Sequence, residues 1–231
     1  LLSCAKSFHN RVKIADSYVT PIAGMVQERG RIVGSLGGLA FAVLMVWTTS
    51  ALGADGAEIA ARCDNCHGEN GHSATEEIPS IGGFSEFGIM DLLESYRVGN
   101  REARKVTLPD GREVDMNMIV RRMSDEEIES VAEFYSEQPW VPHEQAFDAA
   151  LAKRGAEVHD IKCDKCHSEG GSVKDDDLAI MAGQWRKYLE MEFSDFDTGT
   201  RKMAEKMRVK YDTLSAEDKR AIIEMYVSAG N

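Results

Sequence analysis

Cys63-Asp64-Asn65-Cys66-His67 and Cys163-Asp164-Lys165-Cys166-His167 are two C-x-x-C-H motifs set 100 residues apart, and they hold four of the five cysteines in the 231-residue chain. In each motif two thiols one helical turn apart can add to the two vinyl groups of a haem. The adjacent histidine can then ligate the iron. C-x-x-C-H is the attachment signature of c-type haem, so the motifs imply two covalently bound haem c groups, held by Cys63, Cys66, Cys163 and Cys166.

The sequence around the motifs repeats with them. Residues 63–137 lie over 163–228: His67 on His167, Gly83 on Gly183, and Gly99-Asn100-Arg101 on Gly199-Thr200-Arg201, all at an offset of 100. Further on, Ser124-Asp125-Glu126-Glu127 aligns with Ser215-Ala216-Glu217-Asp218, so the first half carries nine extra residues after its Gly-x-Arg step. One structural unit is used twice.

Each half reads as helical. Ala57–Arg62 and Ala149–Ala156 are good helix formers leading into the cysteines. Ile89, Leu92, Leu93 and Tyr96 fall at i, i+3, i+4 and i+7, and Trp185, Tyr188, Leu189 and Phe196 form a comparable stripe. Gly99 and Gly199 are placed to end these helices in left-handed caps. Ser124 with Glu127, and Ser215 with Asp218, have the spacing of capping boxes. No segment alternates as a strand. The fold expected is all-α, two tandem domains each wrapped around one haem. Domain 1 spans 54–140, a linker 141–147 and domain 2 148–231, with the stiff Gln138-Pro139-Trp140-Val141-Pro142 at the boundary. Units of about 85 residues have marginal cores, which a covalent haem would complete.

His67 and His167 are the proximal ligands by position. Each is expected to donate its other ring N–H to a carbonyl. Pro79, twelve residues after His67, can supply the loop that carries it; its counterpart is Ala179, so the second site lacks the proline. For the distal ligands the repeat selects among eleven methionines. Met116 and Met207 each lie eight residues before the capping serine, and no other methionines share a column. Met118 and Met203 are the fallbacks. Methionine ligation raises the potential of a c-type haem relative to a second histidine. His72 is too near its own motif to reach across a haem. His143 is expected in the linker and His159 on a helix surface.

Ile32–Leu52 is apolar, follows Arg29 and Arg31, and ends in Ala51-Leu52-Gly53, the pattern of an export signal beginning at Met25 and cleaved near Gly53 or Ala54. An uncleaved membrane anchor is the alternative, and the residues before Met25 read as an upstream extension. Either way the remainder is expected outside the bacterial cytoplasm, in the periplasm. Residues 1–53 hold five Lys+Arg and two Asp+Glu, which leaves 22 basic and 37 acidic side chains and a net charge of −15. Phosphate binding needs a basic face, so nucleic acid is excluded as a partner; a protein with a basic docking patch fits better. The chain shows no nucleophile–base pair, no phosphate loop and no open metal site.

The succession C-x-x-C-H-G, Pro, Gly-x-Arg, Met and Ser-Asp-Glu-Glu-Ile resembles class I cytochromes c, and two such units in tandem resemble the dihaem, c-four type. Five stretches resemble more narrowly the cytochrome subunit of flavocytochrome c sulfide dehydrogenase. They are Ile78–Gly83, Glu137–Pro142, His159 with the motif through Gly171, Ala182–Leu189, and Lys202–Met207. That resemblance implies outer-sphere electron transfer. A separate FAD-containing flavoprotein subunit would oxidise sulfide, and this chain would pass its electrons to a soluble redox acceptor. The competing reading is a free c-four-type shuttle to a terminal oxidase.

Overall fold

The computed structural model describes residues 55–231; the expected export signal and Cys4 lie outside the described residues. In the first unit α1 (Gly56–His67) opens on Asp55, whose carboxylate accepts from the Ala57 amide, and runs through the whole first motif. Helices α2 (Glu86–Arg97), α3 (Met116–Val120) and α4 (Asp125–Ser136) follow. The second unit holds α5 (Ala149–Lys162), a short turn α6 (Ser168–Gly171), α7 (Arg186–Thr198), α8 (Glu205–Tyr211) and α9 (Ala216–Ser228). The described chain is mostly helical, as the repeat predicts.

Both capping boxes form. Ser124 Oγ accepts from Glu127 N at 3.2 Å while Glu127 Oε2 accepts from Ser124 N at 2.9 Å, and Ser215 and Asp218 exchange the same bonds at 3.1 and 3.0 Å. Gly199 is the left-handed C-cap of α7, and Gly99 takes the same conformation one residue beyond the C-cap of α2.

Two local features depart from the sequence reading. The nine extra residues of the first unit form a two-stranded hairpin, β1 (Val106–Thr107) paired antiparallel with β2 (Glu113–Val114). Pro109-Asp110-Gly111 at its tip is a turn signature, a signal that strand alternation over two residues could not supply. In the second unit the helix stops before its motif: the His159 carbonyl accepts from both Cys163 N and Asp164 N, which closes α5 at Lys162.

Each unit buries its paired helices against one another, α1 on α4 and α5 on α9. Ile59, Ala60, Ile89, Val131, Ala132 and Tyr135 form the first core; Leu189, Ile222, Ile223, Tyr226 and Val227 form the second. The first core takes in Ile180 from the second unit, in one cluster with Phe84. Ser80, the repeat counterpart of Ile180, meets Gln184, the counterpart of Phe84. The contacts between units are therefore reciprocal, apolar in one direction and polar in the other. Arg101 and Arg201 themselves meet in an antiparallel bridge.

The connector threads between two glycine turns. A Cβ on Gly83 would lie 2.6 Å from Trp140 N, and one on Gly183 would lie 2.2 Å from Pro142 Cβ. His143 N donates to Gly183 O at 2.7 Å, and Trp140 Nε1 donates to Ala182 O at 3.0 Å.

Candidate haem sites

The first motif sits on the last turns of α1, with Cys63 and Cys66 half-buried and His67 buried. Before haem is attached, burial pushes the Cys63 and Cys163 thiols up. His67 Nδ1 donates to the Pro79 carbonyl at 2.9 Å, so the Pro79 loop supplies the acceptor itself. That bond fixes the tautomer and leaves Nε2 for iron. Burial lowers the His67 pKa, so the ring is neutral and able to ligate. Tyr135 braces the motif from α4, its hydroxyl donating to Asp64 Oδ1 at 2.7 Å.

The second motif differs in its support. His167 Nδ1 is buried and has no hydrogen-bond partner, and the same is true of His159 Nε2. Burial, reinforced by His159, pushes the His167 pKa down to about 4. His159 lies 2% exposed against Tyr226, not on a helix surface. Its repeat counterpart is the core residue Ile59, so the repeat itself marks the position as interior.

Met116 opens α3 and is half-buried, whereas the fallback Met118 is 43% exposed. Asn117 ties α3 to the rest of the unit. It donates to Tyr96 O at 2.6 Å and Arg101 O at 2.9 Å, and accepts from Ala103 N at 2.8 Å. In the second unit Met207 lies in α8 and Met203 in the segment before it, both half-buried.

Between the units lies a polar layer that the motifs did not reveal. Glu192, 6% exposed, takes Arg101 at 2.5 Å and also Arg201, while Tyr188 accepts from Arg101 at 3.0 Å. Burial alone would raise the Glu192 carboxyl, but the two guanidinium groups hold it below its ordinary range. His143, in the segment between α4 and α5, is 5% exposed, stacked between His72 and Trp185. Burial and His72 push its pKa down to about 4.

Because an unfolded histidine titrates near 6.5, the unfolded chain binds a proton that folded His143 refuses. Stability should therefore fall as pH drops from about 6.5 towards about 4. His143→Phe, which keeps the stack, is expected to flatten that part of the curve of thermal midpoint against pH. An unchanged slope would assign the loss to other groups.

Residues 53–137 match the cytochrome c family. Cytochrome c4 of Azotobacter vinelandii is 26% identical over 154 residues, 62% of this chain and 70% of that protein. The crystal structure of reduced cytochrome c4 from Pseudomonas stutzeri superposes with a TM-score of 0.60 at 26% identity, covering 74% of this chain and 95% of that one. Both units are thus matched in their tandem arrangement. The chain is cytochrome c4-like across its two tandem units. A thiosulfate dehydrogenase from Marichromatium purpuratum shares the fold, with a TM-score of 0.58 at 22% identity over 73% of this chain and 37% of that one.

The c4-like assignment brings two covalently bound haem c groups, and the residues present fit them. Each unit offers a C-x-x-C cysteine pair beside a neutral imidazole and a half-buried methionine downstream. Cytochrome c4-like chains of this architecture serve electron transfer. Among the described residues no helix is long and apolar enough to cross a membrane.

Proposed function

We propose that this chain is the periplasmic electron-accepting cytochrome of a sulfide-oxidising flavocytochrome c, taking electrons from an FAD-containing subunit and passing them to a soluble redox acceptor. The observation that carries this reading is where the stretches resembling that subfamily lie. Glu137–Pro142 and Ala182–Leu189 meet each other, with Trp140 bonded to Ala182 and Gln184 to Ser80 of the Ile78–Gly83 stretch. The stretches that carry the resemblance are thus the ones that join the two units of this chain.

Cys63, Cys66 and His67 hold the first haem and Cys163, Cys166 and His167 the second, with Met116 and Met207 as distal ligands. Haem iron takes one electron at a time, so two centres in series suit a two-electron donor and a one-electron acceptor. The protein's part is to hold the imidazoles neutral and oriented and to keep the two units locked together. By resemblance the first unit faces the flavoprotein.

Similarity to cytochromes c4 over both units favours a second reading, a free shuttle to a terminal oxidase. Mixing the cytochrome with its co-purified flavoprotein and adding sulfide without oxygen separates the two. Haem reduction that depends on the flavoprotein is expected. A cytochrome that purifies alone, and that sulfide reduces equally fast without the flavoprotein, decides for the shuttle.

The methionine assignment is tested by its optical signature. Met116→Ala and Met207→Ala should each remove roughly half of the weak near-infrared band of ferric His/Met haem. If Met118→Ala or Met203→Ala removes that share instead, the repeat column does not identify the ligand.

A further inference from the structure

The loop that orients His67 is held from the other unit. Gln184, 1% exposed, lies 104 residues from Ser80, which is also 1% exposed. Gln184 Oε1 accepts from Ser80 N at 3.1 Å, and Gln184 Nε2 donates to Ser80 O at 2.9 Å. The amide thus pairs with both backbone groups of one residue, as a neighbouring strand would. Its oxygen also accepts from Trp185 N at 3.1 Å, which fixes the amide's own orientation.

Ser80 Oγ accepts from Ser73 N at 3.0 Å and is hydrogen-bonded to His143 Nε2 at 2.8 Å. Trp185 Nε1 donates to Ser73 O at 2.9 Å. Every polar group of Ser80 is therefore engaged, and three of its four hydrogen bonds come from the connector or the second unit. The peptide group joining Pro79 to Ser80 carries the carbonyl that accepts from His67 Nδ1. It cannot turn without breaking the Gln184 bond to Ser80 N.

The second unit has no such clamp. The counterparts of Ser80 and Gln184 are Ile180 and Phe84, which share an apolar cluster, and His167 Nδ1 has no partner.

We propose that Gln184 is a positioning residue for the first haem. Across the unit interface it fixes the Pro79 carbonyl on His67 and so sets that haem's reduction potential. The inference rests on His67 being the iron ligand. A firmly accepted Nδ1 proton makes the imidazole a stronger donor to iron. A stronger donor favours the ferric state and lowers the potential. Loss of the clamp should raise it.

Gln184→Met keeps the side-chain volume and removes the hydrogen bonds. Trp140→Phe removes the interface bond to Ala182 and leaves Ser80 untouched. Spectroelectrochemical titration of the dihaem protein, with the first wave assigned by its loss in Cys63→Ala/Cys66→Ala, gives the readout. In Gln184→Met the first potential should rise and the second stay in place, and the His67 Nδ1 proton should exchange about tenfold faster or more. Trp140→Phe should move neither potential. Two retained haems with an unmoved first potential, equal movement of both, or the same shift in Trp140→Phe would overturn the proposal.

If Gln184→Met does not mature, the wild-type protein still decides. The His67 Nδ1 proton should exchange at least about tenfold more slowly than that of His167, and equal rates would sink the clamp. Failure of the ligand assignment itself looks different: His67→Ala would then retain an unaltered two-haem His/Met spectrum.

Discussion

Glu192→Gln is expected to destabilise the protein by about 3–5 kcal/mol, because it leaves buried guanidinium groups without their counter-ion. Arg101 has only 7% of its side chain exposed and Arg201 20%, and both end on this one carboxylate. Out of a total of about 5–15 kcal/mol for a native protein, that loss is large. Denaturant unfolding of the haem-loaded protein measures it. The joint change Arg101→Leu, Arg201→Leu and Glu192→Leu should recover most of the loss, since an apolar cluster avoids the desolvation cost. A single-variant effect below about 1 kcal/mol, the range of exposed ion pairs, would mean that solvent reaches the cluster. The same carboxylate sets an acid limit. Its pKa is held below the ordinary value, so its contribution is complete above the unfolded carboxylate range and fades as pH falls through the folded one.

Gly183→Ala should cost a comparable amount, roughly 2–5 kcal/mol, from a left-handed backbone and an overpacked contact together. Gly183 has φ +77°, and the new methyl would stand 2.2 Å from Pro142 Cβ and 2.9 Å from Pro142 Cα. The turn cannot retreat easily, because Gly183 N donates to Tyr226 O and Gly183 O accepts from His143 N, each at 2.7 Å. Gly199→Ala is the control. Its φ is +76° but nothing lies within 4 Å, so only the backbone cost of about 1–2 kcal/mol remains. Equal thermal shifts in the two variants would show that Pro142 gives way.

The two halves were legible where they agree. The motif, the capping serines, the left-handed glycines and the His67–Pro79 spacing are all local patterns, and local patterns survive in one dimension. What joins the halves was hidden in the columns where they disagree. Ser80 against Ile180, Phe84 against Gln184, and Leu92 against Glu192 look like drift in an alignment of the repeats. In space they are the interface, made by residues about 90–100 positions apart that no periodicity connects. The hairpin was missed for a smaller reason: two-residue strands carry no alternation, and only the Pro109-Asp110-Gly111 turn announced it. His159 was misplaced because a charged helix surface flanks it, although its column partner Ile59 already pointed inward.

The reciprocal pairing of position 80 with 184 and of 84 with 180, around a bridge that joins Arg101 to Arg201, has the form of an isologous contact. In a symmetric dimer residue i of one copy meets j of the other, j meets i, and a residue on the axis meets itself. Such a pair of identical proteins must use one side chain for both ends of every contact. Once the two copies lie in a single gene product, each end is free to change alone. One end here is an apolar joint and the other a hydrogen-bonded one. The repeat thus holds two chemically distinct settings within one design, and neither half can be cut away without uncovering a face shaped for the other.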